Sequence, residues 1–273
     1  MFPKTSQAEF RYRKKMRELE ISLILDIIKK YFEAENLSSN NNFNILEFGC
    51  GDGFQVPYLK QLGDVYASDI YISNGMRAMA DAKFYQCDIT NTPFEDNKFD
   101  ILFSNQVLEH IEDIGGAFRE LKRIGKKDCI FIFSVPTRIW LMLDIPAQYY
   151  VRIKYLINRL IQSKQHGTTI TTNRIGQEEN VKASSNSLLM GKLFQKLLPA
   201  GHGKYKNFLE CYQRFGKNEW IRLFREYGLS VININPLLLY GPAEWPIIPI
   251  NNLFNNFGIC SSRLFLLKRD KLK

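Results

Sequence analysis

Residues 45–55 read ILEFGCGDGFQ, a short apolar run that breaks into glycines at positions 49, 51 and 53. No other stretch limits the fold so tightly. A short apolar run bounded by turn residues suits a strand buried on both faces. The glycines allow a tight turn and let a ligand lie against bare backbone at the start of the next helix. In open α/β sheets such ligands sit at the carboxyl ends of strands, where the strand order reverses. Gly49, Gly51 and Gly53 therefore mark a ligand cradle near the middle of a sheet.

The rest of the chain alternates to match. Residues 7–35 read as a helix with Leu19, Leu23, Leu25, Ile27, Ile28 and Phe32 as its apolar face, and 36–44 as a polar linker. Strands are expected at Asn44–Phe48, Val65–Asp69, Phe84–Cys87, Phe99–Ser104, Cys129–Val135, Val231–Asn235 and Arg263–Lys268. Helices are expected at Phe54–Leu62, Ile72–Ala80, Val107–Ile124 and Asn218–Tyr227. Strands alternating with helices predict an α/β fold, a mostly parallel sheet covered on both faces. Four segments follow: helix and linker (1–40), ligand-binding core (41–136), a basic lid insertion (137–206), and the returning half of the core with an apolar hairpin insertion (207–273).

Charge is concentrated in the lid. Of the net +9, residues 137–206 carry eleven Lys/Arg against Asp144, Glu178 and Glu179. Such an excess points to an acidic partner, whether lipid head groups, a phosphorylated substrate or nucleic acid, or else serves solubility alone. Five scattered cysteines show no CxxC or ligand spacing, so neither a disulfide framework nor a zinc site is expected. The first residues have no apolar signal region, and no apolar run reaches the ~18–20 residues of a spanning helix. A cytoplasmic setting is expected, with peripheral attachment to the inner membrane face left open.

Carboxylates surround the glycine loop. Glu47 precedes it, Asp52 lies within it, Asp69 ends the next strand, and Asp88 follows the third. An acid-rimmed cradle disfavours a diphosphate and favours a cationic nucleoside. The G-x-G-x-G spacing also departs from the dinucleotide fingerprint G-x-G-x-x-G. With these residues assembled, ILEFGCGDG resembles motif I of the class I S-adenosylmethionine-dependent methyltransferases. The segment VYASD resembles their ribose-binding strand end, QCDIT (86–90) their adenine-recognition segment, and FDILFSNQVLEHIED (99–113) their fourth-strand motif. The resemblance implies a Rossmann-like, doubly wound seven-stranded sheet with insertions after strand five and in the last hairpin. It implies S-adenosyl-L-methionine as cofactor, held by Glu47, Gly49, Cys50, Gly51, Gly53, Asp69, Ile70, Asp88, Ile89, Asn105 and Gln106.

The acceptor is less legible. A hydroxyl acceptor wants a base, and His202 in a glycine-flanked loop and His110 after the fourth strand are the candidates. Some quinone-biosynthesis O-methyltransferases of this superfamily hold a metal with Glu-x-x-Glu-His at that point. Here the set begins with Gln106, so no metal is expected. The absence of a DPPY-type motif argues against DNA-base amines as acceptors. Residues 147–163 read as a basic amphipathic helix with Tyr149, Tyr150, Ile153, Leu156, Ile157, Leu160 and Ile161 on one side, a lid packed on the protein or a membrane-surface helix. The second insertion (236–262) adds Tyr240, Trp245, Phe254 and Phe257. The expected reaction is O-methylation of a small-molecule, saccharide or lipid-linked acceptor. An RNA methyltransferase and a non-catalytic binding protein are the rival readings, and a homodimer surface is left open.

Overall fold

The apolar runs form strands in the expected places. In the computed structural model, which describes residues 7–37, 42–71, 73, 76, 83–165, 201–241 and 258–270, seven strands make one sheet. They are β1 (Phe43–Phe48), β2 (Gly63–Asp69), β3 (Lys83–Gln86), β4 (Phe99–Asn105), β5 (Gly125–Pro136), β6 (Leu229–Pro236) and β7 (Ser262–Arg269). Their order is β3-β2-β1-β4-β5-β7-β6. The pairs among β1 to β5 are parallel, and β7 runs antiparallel between β5 and β6. The order reverses between β1 and β4, and the carboxyl ends of those two strands become the natural mouth of a ligand site.

Alternation along β5 divides the core. Ile130 and Ile132 point to one face with Ile101, Leu266 and the helix α1 (Gln7–Ala34) residues Ile21, Ile24 and Ile28. Phe131 and Phe133 point to the other, against Phe118 of α3 (Ile114–Ile124) and Phe224 of α6 (Lys217–Glu226). Successive strand residues face opposite ways, so one strand serves an aliphatic and an aromatic core at once.

Several expected elements change shape. The buried stripe of α1 is Met16, Glu20, Ile24 and Ile28 with Ile21, Leu25 and Phe32, whereas Leu19 is exposed. The helix expected over 54–62 shrinks to α2 (Val56–Leu59), because Pro57 enters the first turn and the flanking bonds, such as Tyr58 N–H to Gln55 C=O, span only three residues. The helix expected over 107–124 is interrupted. Leu108–His110 form a single 3₁₀ turn, and α3 begins afresh where Asp113 caps it by accepting the Gly116 N–H at 2.8 Å.

The insertion after β5 opens with one long helix, α4 (Arg138–Gln165), which contains the helix expected over 147–163 and begins nine residues earlier. Tyr150, Ile153 and Ile157 of its expected apolar side are about half exposed, as is Met142. A short helix α5 (Phe208–Arg214) precedes α6. The helix expected over Ile72–Ala80, residues 166–200 of the lid, and Trp245, Phe254 and Phe257 lie outside the described residues. No helix among the described residues is long and apolar enough to cross a membrane.

Candidate functional site: two cavities joined at a histidine pair

The carboxyl ends of β1, β2 and β4 enclose a cavity of about 630 Å³. Gly49 forms its lip with φ +68°, and a Cβ there would come within 2.5 Å of Val107 Cγ2. Only glycine fits. Asp69 turns back at the end of β2: its Oδ2 accepts the Gly51 N–H at 2.8 Å and its Oδ1 the Tyr71 N–H at 3.1 Å. Asp88 is fixed through Oδ1, which accepts the backbone N–H and the hydroxyl of Thr90, both at 2.8 Å. Gln106 leaves β4 with φ +58°, an unusual backbone for a non-glycine residue, and its side-chain amide donates to Ser134 Oγ at 3.1 Å.

The cavity is anionic. Asp69, Asp88, Glu112 and Asp113 line it, and among the described residues no lysine or arginine does. Ile89, Val107 and Ile111 supply apolar walls. Its volume lies within the usual range for small-molecule sites. A cationic nucleoside with an apolar base suits this donor set, and a phosphate does not.

Of the expected cofactor residues, Gly49, Asp69, Ile70, Asp88, Ile89 and Gln106 line this cavity. Glu47, Cys50, Gly51, Gly53 and Asn105 do not. Gly51 holds Asp69, and the buried Cys50 donates its N–H to Ser68 C=O at 3.1 Å. Glu47 is buried and accepts the Gln55 amide at 3.1 Å, while its other oxygen has no partner among the described residues. Burial pushes its carboxyl up to about 8. Asn105 donates to Gln55 at 3.1 Å and toward Glu20 at 3.4 Å. Sequence reasoning missed Thr90, Glu112 and Asp113.

It also missed a second cavity, about 420 Å³, between α1, the start of α4, the His202 loop and Tyr240. Met16, Trp140 and Tyr240 give it apolar surface, and Arg13, Arg17, Glu20 and Asp144 give it charge. Glu20 was legible in principle. It stands at the 16, 20, 24, 28 spacing of the buried stripe, an acid where an apolar residue belongs. Its carboxylate accepts the Ser262 hydroxyl, and burial raises its pKa.

The two expected catalytic histidines meet where the cavities adjoin. His110 lines the first, His202 the second, and their rings pack edge-on with centroids 5.0 Å apart. The His202 loop is pinned from three sides. Lys204 N–H donates to Glu109 C=O at 3.0 Å, His202 N–H donates to Cys211 Sγ at 3.1 Å, and Trp140 packs on the ring at 4.6 Å. Gly203 (φ +63°) lies so near the Glu109 carbonyl that a Cβ would come within 2.3 Å of it. Burial lowers the His202 pKa to about 4, and His110 shifts the same way. Beneath them Glu109 is fully buried, with neither carboxylate oxygen hydrogen-bonded among the described residues and its carboxyl raised to about 8 by desolvation.

A seven-stranded sheet with a reversed last strand, carrying a glycine-lipped cavity rimmed by carboxylates at its switch point, is similar to the arrangement expected of the class I S-adenosylmethionine-dependent methyltransferases. Residues 46–133 match the family model described as a methyltransferase domain. The chain is 27% identical over 150 residues to the ubiquinone biosynthesis O-methyltransferase of Rhodopseudomonas palustris (strain TIE-1), an alignment covering 50% of this chain and 59% of that protein. It is 29% identical over 104 residues to phosphoethanolamine N-methyltransferase 1 of Arabidopsis thaliana, covering 35% and 21%. In fold it is similar to the PH0226 protein from Pyrococcus horikoshii OT3, with a TM-score of 0.50, 15% identity and 99% and 97% of the two chains covered. The chain thus spans about three-fifths of the length of the first of these relatives.

Proposed function

We propose that this protein transfers a methyl group from S-adenosylmethionine to a hydroxyl oxygen of an acceptor held in the second cavity. The observation that carries this reading is the junction: His110 faces one cavity, His202 the other, and the rings touch. When bound, S-adenosylmethionine supplies an electrophilic methyl on a sulfonium. Asp69 and Asp88 hold the nucleoside end of the first cavity by accepting hydrogen bonds, and the Gly49 lip leaves the backbone bare beside it. The second cavity orients the acceptor so that its oxygen arrives in line, which is worth several kcal/mol of barrier. At neutral pH the His202 imidazole is unprotonated, because burial has lowered its pKa to about 4, and it offers a lone pair to the acceptor hydroxyl. Trp140, Met16 and Tyr240 exclude water from that contact.

The acceptor is read as bulky and partly apolar, a lipid-linked phenol or saccharide. Three things support this: the apolar wall of the second cavity, the exposed stripe on α4, and the O-methyltransferase named among the similar proteins. Met142, Tyr150, Ile153 and Ile157 fall within an arc of about 80° on an ideal helix. They sit in a segment whose sequence is strongly basic, the composition of a helix that lies on an anionic membrane surface.

The test is transfer of labelled methyl to a panel of phenols, polyprenyl phenols, lipid-linked saccharides, amines and RNA. Label on a hydroxyl oxygen, lost in His202→Ala while cofactor binding persists, supports the reading. Label on RNA or an amine alone overturns it.

A further inference from the structure

We propose that Glu109, His110 and His202 form a binding site for one divalent transition-metal ion at the junction of the two cavities. The three side chains each offer a ligand atom, and these atoms all lie within 4.8 Å of one another. Glu109 Oε1 is 3.8 Å from His110 Nε2. A shift of about 1 Å in the side chains brings three donors to the ~2.0–2.2 Å bond lengths of a zinc-like ion.

A second observation points to a ligand independently of the cluster. Glu109 is fully buried, yet neither of its carboxylate oxygens meets a donor among the described residues. Native proteins rarely leave such a group unpaired. The two imidazoles above it belong to different parts of the chain. His110 comes from the turn after β4, and His202 from a loop 92 residues later that is pinned to the Glu109 backbone through Lys204 and Gly203. That pinning holds the third donor over the carboxylate.

The sequence expectation of no metal rested on Gln106 replacing a leading acid. Gln106 turns aside and bonds Ser134, and His202 supplies the missing donor from the other wall. Two nitrogens and one carboxylate favour zinc, cobalt, manganese or iron over magnesium, which prefers all-oxygen ligands. Three protein ligands leave positions open, and an acceptor hydroxyl bound there is acidified by the metal, which then takes over the role given to His202 above, since the imidazole lone pair is bound. This last step rests on the O-methylation reading; the site itself does not.

The experiment uses the untagged, chelator-treated full chain titrated with cobalt(II), followed by absorption between about 500 and 650 nm, where tetrahedral cobalt absorbs, and with zinc by calorimetry. One equivalent is expected. His202→Ala, His110→Ala and Glu109→Gln are each expected to weaken binding at least ~30-fold, since even outer-shell losses cost 10–100-fold. Magnesium in excess is expected not to displace cobalt. Circular dichroism and melting identify any variant that fails to fold, and the remaining variants decide. Absence of a stoichiometric site, or binding unchanged in folded His202→Ala and His110→Ala, overturns the proposal. Methyl transfer by the metal-free protein overturns the metal's part in acidifying the hydroxyl while leaving O-methylation standing. A cobalt site without transfer to any hydroxyl overturns O-methylation while leaving the site standing.

Discussion

The guanidinium of Arg17 and the carboxylate of Asp52 form a two-point pair, at 2.9 and 2.7 Å, between the first helix and the glycine loop. Arg17 also lies over the Phe54 ring, 4.3 Å from its centroid, and holds the Asp52 carboxyl below its ordinary range. The pair is roughly half exposed, so its direct worth in stability is only about 0–1 kcal/mol. Its effect is positional. Arg17→Ala is expected to leave the melting temperature within a few degrees while weakening S-adenosylhomocysteine binding several-fold, and calorimetric titration beside a thermal melt checks both.

Gly49 is the strictest position in the cavity. Gly49→Ala forces a Cβ against Val107 and a side chain onto a left-handed backbone. Overpacking of this kind costs about 1–3 kcal/mol. The variant should unfold at lower denaturant and bind cofactor more than ten-fold more weakly. Adding Val107→Ala should recover part of the stability, because it relieves the contact but not the backbone strain. Recovery of nothing would show that the contact is not the cause.

Asp69→Ala removes the acceptor for two backbone N–H groups as well as the carboxylate on the cavity rim. Cofactor affinity should fall at least ten-fold. Asp69→Asn keeps a hydrogen-bond acceptor for Gly51 but loses the charge, so it should fall between the two. Equal affinity for all three proteins in a calorimeter would remove Asp69 from the site.

Glu47 makes stability depend on pH. Its folded pKa is raised from 4.5 to about 8, because the charged form is desolvated. The folded state therefore holds a proton that the unfolded chain has released. The contribution is fully present below 4.5 and is lost as the pH rises toward 8, with a slope of up to about 1.4 kcal/mol per pH unit. Glu47→Gln should flatten that slope in urea titrations run across this range, and an unchanged slope would assign the pH dependence elsewhere.

Ile153 and Ile157 test the surface of α4. Flotation with anionic vesicles should carry the wild-type chain upward, and Ile153→Asp with Ile157→Asp should leave it at the bottom. Both proteins should melt alike, because the side chains they change are exposed.

The strands and the rim acids were legible because their signals are local. Asp69 and Asp88 end or follow short apolar runs, and position alone puts them at the mouth of a parallel sheet. The break in the helix at 107–124 was not legible: it depends on Gln106 taking a left-handed turn and Asp113 restarting the helix. The second cavity depends on contacts between distant segments. Glu20 meets Ser262, and His202 meets Glu109, through folding that no window of sequence contains. The one local hint is Glu20, an acid in the buried stripe of α1.

The tie between Glu20 and Ser262 joins the first helix to the last strand, and Tyr12 reaches Gly241 in the same way. A chain leaving the ribosome can close β1 to β5, and with them the first cavity, while β6 and β7 are still unmade. The second cavity, walled by Tyr240 and by the helix that Ser262 ties down, waits until synthesis has passed Ser262. The two chambers are therefore completed at different moments in the life of the chain, and one cut short before its final hairpin would hold a finished first chamber beside a missing wall.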